Sequence, residues 1–403
     1  MMEINRRTFL KTVAGALSTT FIPRNIALGK ETEKTMLVEK KCFSLEKFYF
    51  EKADRTIPVK IGYETYGELN AKKDNVILIC QYFTGTSHAA GKYKEEDPAA
   101  GWWDMMVGSG KTIDTDRYFV ISTDVLSNIN FYNPCVITTG PASINPDTGK
   151  EYGLDFPIFT LKDVVRLQKE LLKSMGITKL KLVMGPSMGG LQAFMWARHF
   201  PDMVETMISV VATPMIRPYG IMVPNQLGID AIRLDPNWSG GKYYGKTLPV
   251  EGLLLAFKIL LMATRTDDWA EKNFGRKFSD PDLSPFKSFD EKFLVEKEIE
   301  DIVFGRMEYF DANSYMYIAK TNILFDLREG EETLKEALSH IKAKTLIIID
   351  DSDLMFTRAQ AEEAKPFIKD CECFYYDSKN GHLSCLFDTH LFEDKIKEFM
   401  NNL

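Results

Sequence analysis

Leu180–Gly190 reads LKLVMGPSMGG, and this stretch decides the fold. Its first half, Leu180 to Met184 (LKLVM), is a short, nearly continuous apolar run, as expected of a strand buried on both faces of a sheet. Its second half, Gly185-Pro186-Ser187-Met188-Gly189-Gly190, leads into helical periodicity from Gly190 to His199. A strand that turns straight into a helix around a glycine-flanked serine is a G-x-S-x-G elbow. The turn is so tight that the residues flanking the serine must be small. The serine then projects at the carboxyl edge of the sheet, beside a helix N-terminus whose partial positive charge favours a developing anion. Glycine and serine are common in ordinary turns, but the strand before and the helix after mark Ser187 as a nucleophile.

Outward from the elbow, the same rhythm continues. Asn75 to Gln81, Arg117 to Ser122, Met207 to Ala212, Thr345 to Ile349 and Cys373 to Tyr376 are further apolar runs. Helical periodicity fills Thr160 to Met175, Glu332 to Ile341, Arg358 to Phe367 and Phe387 to Asn401. Strands alternating with helices predict an α/β architecture with right-handed crossovers. Segments around Phe48 and from Ile57 to Tyr66 alternate polar and apolar residues, as an antiparallel edge does. From about Pro214 to Arg328 the rhythm breaks: aromatics, methionines and helical segments appear, but no clear buried strand. The expectation is an α/β-hydrolase fold, a mostly parallel sheet flanked by helices. Residues 40–213 and 329–403 would form its core, and residues 214–328 an inserted helical cap that shapes the pocket.

A serine needs a base, and in this fold the order along the chain is Ser, acid, His. Of five histidines, His88 precedes Ser187, His199 ends the helix after the elbow, His340 precedes the penultimate strand and His390 falls in the last helix. His382, in Asn380-Gly381-His382 after the last strand, has the right order and place. The acid should follow Thr345 to Ile349, where Asp350, Asp351 and Asp353 compete. Asp353 lies farther beyond the strand edge and has a modest preference. The acid would hold the imidazole tautomer and stabilise imidazolium. Two backbone N–H groups are expected for the oxyanion. One is Met188; the other comes from Tyr82-Phe83-Thr84-Gly85, with Phe83 the expected donor and Thr84 able to add its hydroxyl.

The chain has 403 residues, 45% of them hydrophobic, and a net charge of −7. No strongly basic stretch gives a reason to expect nucleic acid or an anionic membrane surface. At the N-terminus, Asn5-Arg6-Arg7-Thr8-Phe9-Leu10-Lys11 precedes a short apolar run from Thr12 to Ile22. Residues 1–30 read as a twin-arginine signal, which implies the matching export machinery and a periplasmic protein, membrane-tethered if the signal stays uncleaved. An oxidising compartment would permit disulfides among the six cysteines. No metal-ligand spacing such as C-x-x-C is present. Gly108-Ser109-Gly110-Lys111-Thr112 resembles the end of a phosphate-binding loop, but Met105 stands where that motif needs glycine and no strand precedes it.

Further motifs give a resemblance. Tyr63-Glu64-Thr65-Tyr66-Gly67-Glu68-Leu69-Asn70, Thr84-Gly85, Gly101-Trp102-Trp103-Asp104 and Asp114 to Ile121 are similar to those of the homoserine O-acetyltransferase family, as is the elbow with its extra glycine. So are Asp235-Pro236-Asn237-Trp238, Phe310 to Tyr315, Ser352-Asp353 with Phe356, and Gly381-His382. The resemblance implies that Asp353 is the acid, with Ser187 and His382 beside it. It also implies acetyl transfer from acetyl-CoA to homoserine through an acyl-serine, without a cofactor. The family's dimers use the cap, which makes a homodimer an open expectation.

Three stretches depart from the family. In the cap, Ile229 stands where the family has an arginine, and Leu383 stands where it has an aspartate after the histidine. Those groups are expected to hold the acceptor's carboxylate and ammonium, and a desolvated zwitterion without them would be costly. Between Val125 and Gly140 a longer, more apolar segment replaces a short glycine-rich loop. Ile302 to Tyr309 is also altered. With the export signal, these departures predict an exported serine enzyme with an apolar pocket lined by Thr84, Ile229 and Leu383. It would hydrolyse a small ester or thioester, or acylate an alcohol that is not an amino acid. Homoserine O-acetyltransferase proper is the alternative, and it would need another cation, such as Arg217 or Arg233, to face Ser187. A non-catalytic binding protein is a further alternative, which the complete Ser-His-Asp set opposes.

Overall fold

In a computed structural model of the chain, residues 35–282, 285–330 and 333–401 are described. The apolar runs become strands: β1 (Lys41–Phe50), β2 (Arg55–Tyr66), β3 (Val76–Cys80), β4 (Phe119–Thr123), β5 (Leu182–Pro186), β6 (Thr206–Val210), β7 (Lys344–Asp350) and β8 (Cys371–Tyr376). They form one sheet in the order β1-β2-β4-β3-β5-β6-β7-β8. The β1–β2 and β2–β4 pairs are antiparallel and the rest parallel. The alternating segments thus form a hairpin at one edge, and the continuous apolar runs occupy the middle.

Strand β3 shows how the two faces are filled. All five side chains are buried. Val76, Leu78 and Cys80 pack on one side, with α1 (Leu161–Ser174) and α2 (Met188–His199). Ile77 and Ile79 pack on the other, with Trp103 and Phe392. Each such aliphatic side chain contributes about 1.5–3 kcal/mol on full burial. Helix α1 starts at a capping box: the Thr160 side chain accepts from Asp163 N, and the Asp163 carboxylate accepts from Thr160 N at 2.9 Å.

Between β6 and β7, among the described residues, no strand of the main sheet occurs. The excursion carries α3 (Leu227–Leu234), α4 (Val250–Ala263), α5 (Asp267–Asn273), α6 (Leu294–Phe304) and α7 (Ala312–Ile323). Its entry and exit meet at a neck, where Ile216 N donates to Phe325 O at 3.3 Å and Leu327 N to Pro214 O at 3.0 Å. After it come α8 (Leu334–Ser339), α9 (Arg358–Ala364) and α10 (Glu393–Asn401).

Several expectations need adjustment. The last helix starts at Glu393 rather than near Phe387, because the Asp388 carboxylate accepts from Asn380 Nδ2 at 2.8 Å and from the Ser378 hydroxyl. That tie bends the chain at Asp388, and His390 falls in the turn before the helix. No disulfide forms: all six cysteines are free. Gly108 to Thr112 is a turn between two short paired strands, with Lys111 Nζ donating to the Asp104 backbone oxygen at 2.6 Å.

Candidate active site

The elbow is shaped by lack of room. A Cβ on Gly189 would lie 2.2 Å from Cys80 O, and one on Gly185 would lie 2.4 Å from the same oxygen. Only hydrogen at both positions lets α2 start this close to the end of β3. Ser187 between them has φ 55° and ψ −122°, sparsely populated for a side-chain-bearing residue and worth about 1–3 kcal/mol of strain. Its N–H is held by Val210 O at 2.9 Å.

Two loops bring the partners. His382, in the turn Gly381–Leu383 after β8, places Nε2 2.8 Å from Ser187 Oγ and Nδ1 2.7 Å from Asp353 Oδ2. The other Asp353 oxygen accepts from Met355 N at 2.7 Å and Phe356 N at 3.2 Å. The Phe356 ring lies over the imidazole, 5.7 Å between centroids. Asp353 is 3% exposed and His382 4%, so the hydrogen-bond chain is shielded from competing water. The competing aspartates are engaged elsewhere. Asp350 Oδ1 accepts from Ser352 N at 2.9 Å and Ser378 N at 3.2 Å, and burial raises this carboxyl. Asp351 pairs with Arg358 on the surface. Among the other histidines, His88 contacts Glu64 at 3.0 Å and His199 contacts Glu329 at 2.9 Å.

Phe83 and Met188 are both buried, and neither amide N–H donates a backbone hydrogen bond among the described residues. Residues 82–85 form a turn closed by Gly85 N donating to Tyr82 O at 2.9 Å. The Thr84 carbonyl is taken by Asn130. Phe83 packs edge-on against Tyr315 at 5.3 Å between centroids, and a Cβ on Gly228 would strike the Tyr315 hydroxyl at 2.6 Å. Helix α3, with buried Ile229, therefore reaches the Phe83 turn through Tyr315. Leu383 is half-buried beside His382.

Neither cation suggested from sequence is tied to this site. Arg217 pairs with exposed Glu363, and Arg233 lies over Trp238. Two others lie near residues that flank it, Asn380 and Tyr82. Arg265 Nη1 donates to Asn380 Oδ1 at 3.0 Å, two residues before His382, and its guanidinium lies over the Trp269 ring at 4.5 Å. Burial lowers its pKa to about 10. Exposed Arg306 lies in the field of Tyr82: burial raises that phenol, and the arginine opposes the rise. Sequence reasoning missed both arginines. It also missed the buried amides of Gln81, Asn128, Asn130 and Gln192, although Gln81 ends the NVILICQ run and Gln192 interrupts the apolar face of α2. No group of His, Cys, Asp and Glu among the described residues has metal-site geometry.

Fold and site define an enzyme of the α/β-hydrolase superfamily, and residues 138–389 match the alpha/beta hydrolase fold family. Homoserine O-acetyltransferase of Deferribacter desulfuricans is 42% identical over 360 residues, 88% of this chain and 93% of that protein. The crystal structure of homoserine O-acetyltransferase from Bacillus anthracis superposes with a TM-score of 0.88 at 46% identity, covering 91% of this chain and 98% of that one. Esterase E22 superposes with a TM-score of 0.85 at 38% identity, covering 90% and 100%. The chain belongs to the homoserine O-acetyltransferase family.

Two expectations are corrected by these findings. Relatives at 37–42% identity carry the acetyltransferase name, which overturns the reading as an exported hydrolase or a transferase to a non-amino-acid acceptor. Aliphatic Ile229 and Leu383, in place of the family's charged residues, therefore do not decide against the acetyltransferase alternative. The periplasmic location falls with that reading, because an acetyl-CoA-dependent transferase works where acetyl-CoA, a cytoplasmic metabolite, is found. Residues 1–30, on which the twin-arginine reading rests, lie outside the described residues.

Proposed function

We propose that the chain transfers the acetyl group of acetyl-CoA to the hydroxyl of homoserine through an acetyl-Ser187 intermediate. The observation that carries this reading is the 46% identity, over nine-tenths of the chain, to the Bacillus anthracis enzyme. Neutral His382, with Nδ1–H donating to Asp353, takes the Ser187 hydroxyl proton at Nε2 as Oγ attacks the thioester carbonyl. The oxyanion is held by the Phe83 and Met188 N–H groups. Collapse expels the CoA thiol, which leaves with the proton from Nε2. Homoserine then occupies the thiol's place. His382 removes its hydroxyl proton, the alkoxide attacks the acetyl carbonyl, and collapse returns the proton to Ser187. Asp353 stays ionised throughout and steadies the imidazolium. Acetyl-CoA is a co-substrate, and no step needs a metal or a prosthetic group.

The test is release of CoA thiol from acetyl-CoA with and without homoserine, with Ser187→Ala as blank. Homoserine should accelerate Ser187-dependent release and appear as its O-acetyl ester. Ser187-dependent thiol release from acetyl-CoA at a rate indifferent to homoserine would overturn the reading.

A further inference from the structure

Beneath the proposed oxyanion donors lies a continuous set of buried side-chain amides. The carbonyl of Gly85, whose N–H closes the Phe83 turn, accepts from Gln81 Nε2 and Asn128 Nδ2, each at 3.0 Å. Asn130 Nδ2 donates to Thr84 O at 3.1 Å and to Asn128 Oδ1 at 3.0 Å. Asn128 Nδ2 also reaches Gln81 Oε1 at 3.2 Å. On the elbow side, Gln192 Nε2 donates to Gln81 O at 3.1 Å and to Met188 O at 3.2 Å. Gln192 Oε1 accepts from Gln168 Nε2 at 2.9 Å, and Gln168 Oε1 accepts from Trp196 Nε1 at 2.7 Å. All five amide side chains are at most 2% exposed.

From this geometry we infer that Gln81, Asn128, Asn130 and Gln192 are positioning residues: an uncharged brace that sets the Phe83 and Met188 N–H groups relative to each other. The inference rests on the acyl-serine reading. The two donors come from different segments, a turn after β3 and the first residue of α2, and nothing in either segment alone fixes their separation. Gln192 grips both at once, through Gln81 O and Met188 O. Asn128 and Asn130 hold the far side of the turn. These two come from the longer Val125–Gly140 segment that replaces the family's short glycine-rich loop, and this segment is tied to the cap where Asp311 N donates to Ile129 O at 2.9 Å. Carboxamides suit the task. Each both donates and accepts, so the buried chain is satisfied. None carries a charge, whereas a carboxylate here would oppose the developing oxyanion in a site of low dielectric.

The readout is acylation by p-nitrophenyl acetate, which needs Ser187 and its donors but no homoserine. Asn128→Asp keeps the shape and replaces the donating NH₂ with an acceptor. Asn130→Ser removes the reach to Thr84 O together with the contact to Asn128 Oδ1, and serves if the first variant folds poorly. Either should lower the acylation rate constant about 10- to 100-fold, the scale of a sub-ångström to 1 Å misplacement, with KM for acetyl-CoA within about threefold. Affinity for a boronic acid that forms a tetrahedral adduct on Ser187 should fall by the same factor as the rate. Folded variants with unchanged acylation, or with KM raised and the rate constant kept, would overturn the brace. Acylation surviving in Ser187→Ala would instead overturn the acyl-serine reading beneath it.

Discussion

Asp353 divides its labour between its two oxygens. One accepts from Met355 N and Phe356 N, which fixes the carboxylate plane; the other faces His382 Nδ1 at 2.7 Å. Asp353→Asn can keep the backbone bonds while presenting an NH₂ to the imidazole. The ring would then carry its proton on Nε2, where it cannot accept from Ser187. We expect kcat to fall about 10⁴-fold with KM for acetyl-CoA little changed, read by steady-state thiol release. A loss below tenfold would remove Asp353 from the role. The position of Ser187 was legible because an elbow needs small residues at fixed offsets. Choosing among three aspartates was not, because that depends on which carboxylate a loop turns inward. Asp350 is just as buried, but it is spent on Ser352 N and Ser378 N.

At the scale of elements, α1 starts on a complete side-chain cap. Its capping box satisfies two backbone donors, so Thr160→Ala should cost about 1 kcal/mol, seen as a fall in Tm of about 1 °C. An unchanged Tm would mean that tertiary packing alone sets the helix start. Elements buried on both faces could be read from apolar runs, and the β1–β2 edge from alternation. Element ends could not. Gly185 and Pro186 look like turn residues, yet they continue β5 because they pair with Ser209 and Val210 of β6. The late start of α10 likewise depends on Asp388 meeting Ser378 and Asn380 across a loop. The amide brace was invisible for the same reason: its polar members sit singly in apolar surroundings and make sense only as partners.

For the molecule as a whole, one buried charge cluster ties the N-terminal edge to the Phe83 loop. Glu64 contacts Lys40 at 2.9 Å and His88 at 3.0 Å, and it accepts from the Tyr93 hydroxyl at 2.7 Å. Lys40 also pairs with Asp124, which accepts from Ser87 N at 2.7 Å. Burial alone would raise the Glu64 pKa, but the His88 and Lys40 contacts outweigh it and hold it at about 2, below the ordinary 4.5. A depressed carboxylate stabilises the fold above its unfolded pKa and loses that contribution as pH falls towards its folded one. About 3 kcal/mol should therefore disappear between roughly pH 4.5 and 2. Urea unfolding followed down this range should show it, and Glu64→Gln should be destabilised at pH 7 but flatter towards acid. An equally steep acid loss in Glu64→Gln would assign the effect to other groups.

The separation of Ser187 from His382, 195 positions along the chain, has a consequence during synthesis. A ribosome adding about 5–20 residues per second needs roughly 10–40 s to travel from one to the other. Throughout that interval the nascent chain displays a hydroxyl with no base to activate it. On the proposed mechanism, polysomes full of half-made chains leave the thioester pool untouched, and any product broken off before His382 is inert. Activity is released only as translation nears its end, when the last strand and its histidine loop can join the sheet.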